Sequence, residues 1–251
     1  MGNSTARELE GVHNFRELGA YSLAGGGRIR SGMIYRSGAL ELMTATDCAC
    51  IGDEIGIRTI LDLRHPEEFA HMPDGHALNE RVRPLSIFEA ARGMDELIAE
   101  LNGLYGTGPT PGRYLHYLDV GGERFVEAFR LLAEAETYPV LVHCTAGKDR
   151  TGVLLGMLME LLGAGDEDIA NEYGLSDASI DRLIAYLRST GRALAGTDAE
   201  IRARLSTPAE RMAGFITLMR ERYGSTEAFL SGRGVPGEEI GRIRELLTER
   251  G

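Results

Sequence analysis

The sequence predicts an α/β fold: a mostly parallel sheet flanked by helices, followed by a helical C-terminal extension. Three observations carry this. Short β-branched runs alternate with helical stretches of roughly 10–15 residues as far as Gly163. The apolar run Pro139-Val140-Leu141-Val142 feeds a polar loop, which opens into a second apolar run, Val153 to Met159. A buried strand therefore leads directly into a buried helix. Beyond Gly163 no strand signal survives, while helix-capping residues recur.

Taken in order, residues 11–40 are rich in glycine, with a turn at Gly25-Gly26-Gly27 and a short strand at Met33-Ile34-Tyr35. Thr44 caps a helix running to about Glu54, with Gly56 just past its end. Ile57 to Leu63 is a β-branched run that reads as an inner strand, and the proline of Arg64-His65-Pro66 sets its boundary. Val82 to Leu85 reads as another strand. Residues 94–120 give a helix, a Gly/Pro loop from Gly106 to Gly112, and an aromatic-rich helical turn holding Tyr114 and Tyr117. A separate helix, Glu123 to Glu136, places Phe125, Phe129 and Leu132 on one face. In the last third, Asp166, Ser176, Thr197, Thr207 and Ser225 read as caps, and both Thr197–Glu200 and Thr207–Glu210 match the capping box. Ligands of such sheets bind beyond the carboxyl ends of strands, where Cys144 and Asp62 fall.

Composition narrows the function. With 251 residues, 43% hydrophobic and 26% charged, the chain is an ordinary globular one. A formal net charge of −11 argues against general nucleic-acid binding, which needs a broad cationic surface. It also makes the local cations Lys148 and Arg150 stand out. The longest apolar run, Val153 to Leu162, is interrupted by Gly156 and Glu160, so no integral membrane segment is expected. Met1 to Glu10 lacks the apolar stretch of a secretory signal, so cytoplasmic residence is the default, with export lacking a recognisable signal peptide left open. The three cysteines, Cys48, Cys50 and Cys144, are too few and badly spaced for a disulfide scaffold or zinc site. Cys48 and Cys50 read as small helix residues, the alternative being a redox partner for Cys144.

The chemistry concentrates in His143-Cys144-Thr145-Ala146-Gly147-Lys148-Asp149-Arg150-Thr151-Gly152. Cys144 ends the strand and Arg150 opens the helix, with five residues between them. Loop N–H groups, a helix N-terminus and a guanidinium all favour an anion there, either a thiolate or a bound phosphate. Thr145, Ala146, Gly147, Lys148 and Asp149 form the phosphate-binding loop, which Gly147 allows to bend. Arg150 offers a planar fork that holds two phosphate oxygens. Thr151 either bonds the sulfur or caps the helix, and His143 orients the loop. Loss of a leaving alcohol needs a proton donor, and Asp62, Asp149 and Asp119 are the candidates. Asp62 ends an inner strand; Asp149 lies beside a cation that would depress its pKa.

Cys-x5-Arg-Thr resembles the signature of the protein tyrosine phosphatase superfamily. HCTAGKDRTG is similar to the bacterial tyrosine and lipid phosphatases of the secreted mycobacterial phosphatase B group. Asn14-Phe15-Arg16, Tyr35-Arg36-Ser37 and Asp62-Leu63-Arg64 match motifs of that group in order and spacing. The resemblance implies a cysteine-phosphatase fold, a phosphocysteine intermediate, and neither metal nor cofactor. It implies a single phosphatase domain over 1–251, with 166–251 a helical extension that resembles the family's lid. It places Asp62 first as proton donor and Asp149 second. Lys148 within the loop resembles phosphoinositide phosphatases. The expected substrates are therefore phosphotyrosine, with phosphoserine, phosphothreonine and phosphoinositides beside it. The stretch from Ile87 to Tyr114 shows no family motif. Two other readings stand against this one: a rhodanese-type sulfurtransferase, and a non-catalytic phosphate-binding module.

Overall fold

Strand β6 (Val140–His143) is buried at every residue, which is why its sequence is continuously apolar rather than alternating. It lies at the centre of a five-stranded sheet in the computed structural model, which describes residues 7–69, 78–88, 93–192 and 194–250. Residues 1–6 of the N-terminal stretch, and 89–92 of the stretch without a family motif, lie outside the described residues. The other strands of this sheet are β1 (Arg16–Glu17), β3 (Ile34–Ser37), β4 (Thr59–Asp62) and β5 (Val82–Pro84), in the order β1-β3-β6-β4-β5. All neighbours run parallel except β1, which is antiparallel on one edge. The expected mostly parallel sheet is therefore present. Its register aligns Ser37, His143 and Asp62 at the carboxyl ends of three adjacent strands. Cys144 follows immediately.

The sheet separates two apolar cores. Val140 and Val142 face the larger one, and Leu141 joins Val12, Ile51, Ile57 and Ile60 in the smaller. The smaller core is closed by α1 (Ala45–Ala49), whose Thr44 and Asp47 form a capping box before the chain continues as a wider helical turn to Glu54. Asp47 also accepts from the N–H groups of Glu10 and Gly11, both at 2.7 Å, and so ties down the incoming chain. The larger core is built mainly on α5 (Asp149–Leu162) and α4 (Pro111–Leu132). The two helices expected around Tyr114 and Phe125 are both present and meet within α4 at a kink, where Gly121 leaves helical geometry. A side chain there would sit 2.3 Å from the Ile87 carbonyl oxygen, so glycine permits that close approach.

The C-terminal third departs from expectation in several places. Thr248–Glu249 forms a short strand, β7, antiparallel to β2 (Arg28–Ile29), although the sequence carries no strand signal after Gly163. Two residues are too few to make a period in sequence. Thr197 and Ser225 cap α8 (Asp198–Leu205) and α10 (Thr226–Ser231) as anticipated. Thr207 does not cap α9 (Ala209–Tyr223); its hydroxyl donates instead to Asp177 at 2.6 Å. Gly165, rather than Asp166, holds the cap position of α6 (Asp166–Gly174), and Ser176 lies inside a helical turn. Helices α6, α9, α10 and α11 (Gly237–Leu247) contribute to the larger core. Among the described residues of this third, α7 (Ile180–Ser189) and α8 lie instead in two small clusters, one of which also holds Ala39.

A buried ion cluster fastens α6 to the sheet edge. Glu172 accepts from Nε of Arg16 at 2.8 Å and from Nη1 of Arg36 at 2.5 Å, with all three side chains buried. Burial opposes ionisation of Glu172, but Arg16 and Arg36 hold its carboxyl below the usual carboxylate range. A depressed folded-state pKa stabilises the fold above the unfolded value of roughly 4.3, and that contribution is lost as pH falls below it. Glu172→Gln strands two buried guanidinium groups, so it should cost about 3–5 kcal/mol in denaturant unfolding at neutral pH. The difference from the parent chain should shrink as pH falls below about 4. An equal cost at every pH would show that the charge does not carry the stabilisation.

Candidate active site

The carbonyls of Thr145, Ala146 and Gly147 in the Cys144–Arg150 loop are each met from behind. The Thr145 oxygen accepts from the Ala39 N–H at 3.0 Å and lies 3.2 Å from Nε2 of His13. Burial lowers His13 to about 4, so it is neutral, and the carbonyl partner places its proton on Nε2. Asn14 Nδ2 donates to the oxygens of Ala146 (3.1 Å) and Gly147 (2.9 Å), and Arg36 Nη2 also donates to Gly147 at 2.5 Å. The N–H groups of Thr145 to Lys148 meet no acceptor among the described residues. They are left for an anion. Gly147 has φ +66, and a side chain on it would lie 2.1 Å from the Ser37 carbonyl oxygen. The loop can therefore close only on glycine at this position.

These groups form the floor of a cavity of about 380 Å³ lined by Cys144, Thr145, Ala146, Lys148, Asp149 and Arg150. Its walls are apolar. Phe88, Tyr117 and α3 (Met94–Tyr105), with Met94, Leu97, Ile98 and Leu101, form one side. Leu183 and Leu187 of α7, Leu194, and Leu205 of α8 form the other. Arg113 and Arg204 add cations to Lys148 and Arg150. The stretch without a family motif thus supplies much of the wall.

Arg150 is held end-on by Glu68, Nη1 to Oε2 at 2.5 Å and Nη2 to Oε1 at 2.8 Å. Glu68 also accepts from the Thr145 hydroxyl and from the His65 N–H at 2.8 Å. Burial would raise the Glu68 carboxyl, but Arg150 and these donors bring it down to about 2. This ties the arginine to the loop it serves. Glu68 lies in α2 (Pro66–Phe69), where Pro66-Glu67-Glu68 reads as an ordinary acidic first turn. Nothing in its local sequence marks the function.

Asp62 and Asp149 occupy different places. Asp62 is buried and does not line the cavity. Its Oδ1 accepts from the N–H and Nε of Arg64 at 3.0 and 2.9 Å, and its Oδ2 from Arg64 Nη2 at 2.5 Å. His143 Nε2 lies 3.2 Å from the same Oδ2, with His143 Nδ1 3.3 Å from the Cys144 carbonyl oxygen. Burial favours the neutral acid, but His143 and Arg64 outweigh it and hold Asp62 far below the carboxylate range. That placement is at odds with the expected role of proton donor, since every nearby group favours its anion. Asp149 does line the cavity, 3.4 Å from Lys148 Nζ through Oδ2. Asp119 lies at another surface hollow, bonded to Tyr223 and Arg222. Thr151 is buried with its hydroxyl unpartnered among the described residues. Cys50 packs in the smaller core and accepts from Arg7, whereas Cys144 belongs to the larger one. Nothing in that arrangement brings the two sulfurs together.

This architecture agrees with comparisons to known proteins. A profile described as the tyrosine phosphatase family matches residues 7–249. A Cupriavidus necator protein bearing a provisional tyrosine-protein phosphatase name is 34% identical over 64% of this chain, which spans 59% of that protein's length. A tyrosine-protein phosphatase of Nostoc commune is 25% identical over 78% of this chain and 68% of its own. The triple specificity protein phosphatase PtpB of Mycobacterium tuberculosis is 26% identical over 96% of this chain and 98% of its own. The chain belongs to the tyrosine phosphatase family.

Proposed function

We propose that this chain is a cysteine-dependent phosphatase that hydrolyses phosphotyrosine through a phosphocysteine. The observation that carries it is the loop whose Thr145, Ala146 and Gly147 carbonyls are bonded outward, set around Cys144 and Arg150 at the floor of a largely apolar cavity. A phosphoryl group there meets the free N–H groups and the guanidinium, while its aryl group lies against Phe88, Tyr117 and the leucines of α3 and α7. The Cys144 thiolate attacks phosphorus, the bond to the leaving oxygen breaks, and that oxygen takes the proton of Asp149. Water then attacks the phosphocysteine, giving its proton to the Asp149 carboxylate, and the thiolate leaves. Lys148 depresses the Asp149 carboxyl against the effect of burial, but a phosphoryl dianion in the loop sets a like charge beside it and raises it again. Asp62 then serves the loop differently, since through His143 it fixes the residue that precedes the nucleophile.

A second substrate class has its own support. Arg113, Lys148 and Arg204 supply cations beyond the one that a monophosphate needs, so phosphoinositides with several phosphates fit the same cavity. Among the described residues no helix is long and apolar enough to cross a membrane, so such lipids would be met at a surface.

Three outcomes follow. Cys144→Ser should lower turnover by at least about a thousandfold while vanadate affinity stays near that of the parent, because the loop and Arg150 remain. Substantial turnover by the serine variant would remove the covalent mechanism. In a series of aryl phosphates, Asp149→Asn should cost about 10²–10⁴ in kcat/KM with poor leaving groups and far less with activated ones. Asp62→Asn should lower all of them alike, and a leaving-group dependence confined to Asp62→Asn would reverse the two roles. Lys148→Ala should weaken kcat/KM for a bisphosphorylated phosphoinositide more than for an aryl monophosphate. An equal loss on both would count against a role in recognising the second phosphate.

A further inference from the structure

Asp149 ends a hydrogen-bond chain that runs away from the cavity through α4, α6 and α9. The Tyr114 hydroxyl donates to Oδ1 of Asp149. The Tyr114 and Tyr173 hydroxyl oxygens are 2.7 Å apart, and Arg211 Nη1 lies 3.1 Å from that of Tyr173. Valence fixes the direction of this chain. The ionised carboxylate only accepts, so Tyr114 gives it its single proton and accepts that of Tyr173, which in turn accepts from Arg211. Both tyrosines are buried, Tyr114 completely. Burial, with the Asp149 charge, raises both hydroxyls, so they stay neutral and keep their protons in the chain.

Phosphoryl transfer does not by itself require two buried tyrosines behind the acid. Resting on the reading of Asp149 as that acid, we infer that Tyr114 is a positioning residue that commits the two carboxyl oxygens to different roles. Oδ1 is occupied by the Tyr114 O–H, and Oδ2 carries the proton that goes to the leaving group. A proton on Oδ1 would set two donors against each other. Lys148, 3.4 Å from Oδ2, makes a loose contact that leaves a lone pair free there. Among the described residues, Arg211 on α9 and Tyr117 on α4 also act on or face this carboxyl, and Arg113, Cys144 and Arg150 line the same cavity. Burial pushes Tyr117 up to about 12, so it adds no charge at neutral pH. A carboxyl held by one oxygen cannot rotate, so its second oxygen meets the leaving group in one geometry.

Tyr114→Phe tests this directly, because the ring keeps its edge-on packing with Tyr173 and Phe215 while the hydroxyl is lost. Expected is a fall of about tenfold in kcat/KM for aryl phosphates with poor leaving groups, with little change for activated ones. Vanadate affinity, set by the loop and Arg150, should be unchanged and reports an intact site. The hydroxyl stabilises ionised Asp149, so its removal should shift the alkaline limb of kcat/KM to higher pH. In an Asp149→Asn background the same substitution should add no leaving-group dependence. A uniform loss across leaving groups, or an unmoved limb, overturns the inference. If Asp149→Asn steepens the dependence and Tyr114→Phe does not, the positioning role alone falls. A flat dependence in Asp149→Asn removes the acid and the positioning role together.

Discussion

A loop that leaves its N–H groups without acceptors and turns its carbonyls the other way must find donors for those carbonyls, and among the described residues of this protein that requirement organises much of the structure around it. Each peptide unit that turns its N–H inward turns its C=O outward, and a buried carbonyl without a donor costs on the order of 1–3 kcal/mol. His13, Asn14 and Arg36 meet those oxygens, and each comes from the first sixth of the chain, far from the loop in sequence. Arg36 in turn needs a counter-charge, which it shares with Arg16 in Glu172 on α6. The edge strand β1, the neighbouring strand β3 and the first helix of the C-terminal third are thus linked by one chain of hydrogen bonds. Its purpose is visible only at the loop.

A second constraint is charge. The cavity floor concentrates cations in a protein of net charge −11, and each is balanced differently. Arg150 is paired with Glu68, which also grips Thr145, so the guanidinium cannot move without moving the loop. Lys148 has only a loose contact with Asp149 and keeps most of its charge for a ligand. Arg64 is consumed by Asp62 and Glu41, outside the cavity. Arginines of similar sequence context are therefore divided between building the site and meeting the substrate. Arg150, although paired, lines the cavity, whereas Arg64 and its two carboxylates do not.

The sequence made some of this legible and hid the rest for physical reasons. β6, its loop and α5 could be read because a buried strand, a polar turn and a buried helix differ sharply in composition over a few residues. Asn14, Arg16 and Arg36 could be singled out by their motifs, but not the carbonyls they serve, which no side-chain pattern encodes. Glu68 and Glu172 stayed hidden because a buried carboxylate on a helix has the same local sequence as an exposed one. Asp62 shows the converse failure. Its place at the end of an inner strand is correctly read, yet the Arg64 two residues later and the His143 across the register turn it into a buried anion. Strand-end position selects what can approach a ligand, whereas charge partners decide what it can do there.

Helix α6 joins both halves of the site through consecutive residues. Glu172 turns to Arg16 and Arg36 and through them braces the loop carbonyls. Tyr173 turns the other way and meets Tyr114, the residue bonded to Asp149. Adjacent residues on a helix point about 100° apart, so one helical turn can reach the back of the Cys144–Arg150 loop and the back of Asp149 at once. A helix bearing both functions cannot swing away without disturbing each of them. The cavity rim, by contrast, is supplied by α7, α8 and the chain between them, whose apolar contacts form small separate clusters. The C-terminal third is therefore two things: a part braced against the Cys144–Arg150 loop and Asp149 at α6, and a part at the cavity rim packed in small clusters. Elements with few buried contacts open at the lowest free energy. Under the proposed function, the helices at the rim and the helix behind Asp149 can therefore yield at different free energies within one contiguous segment.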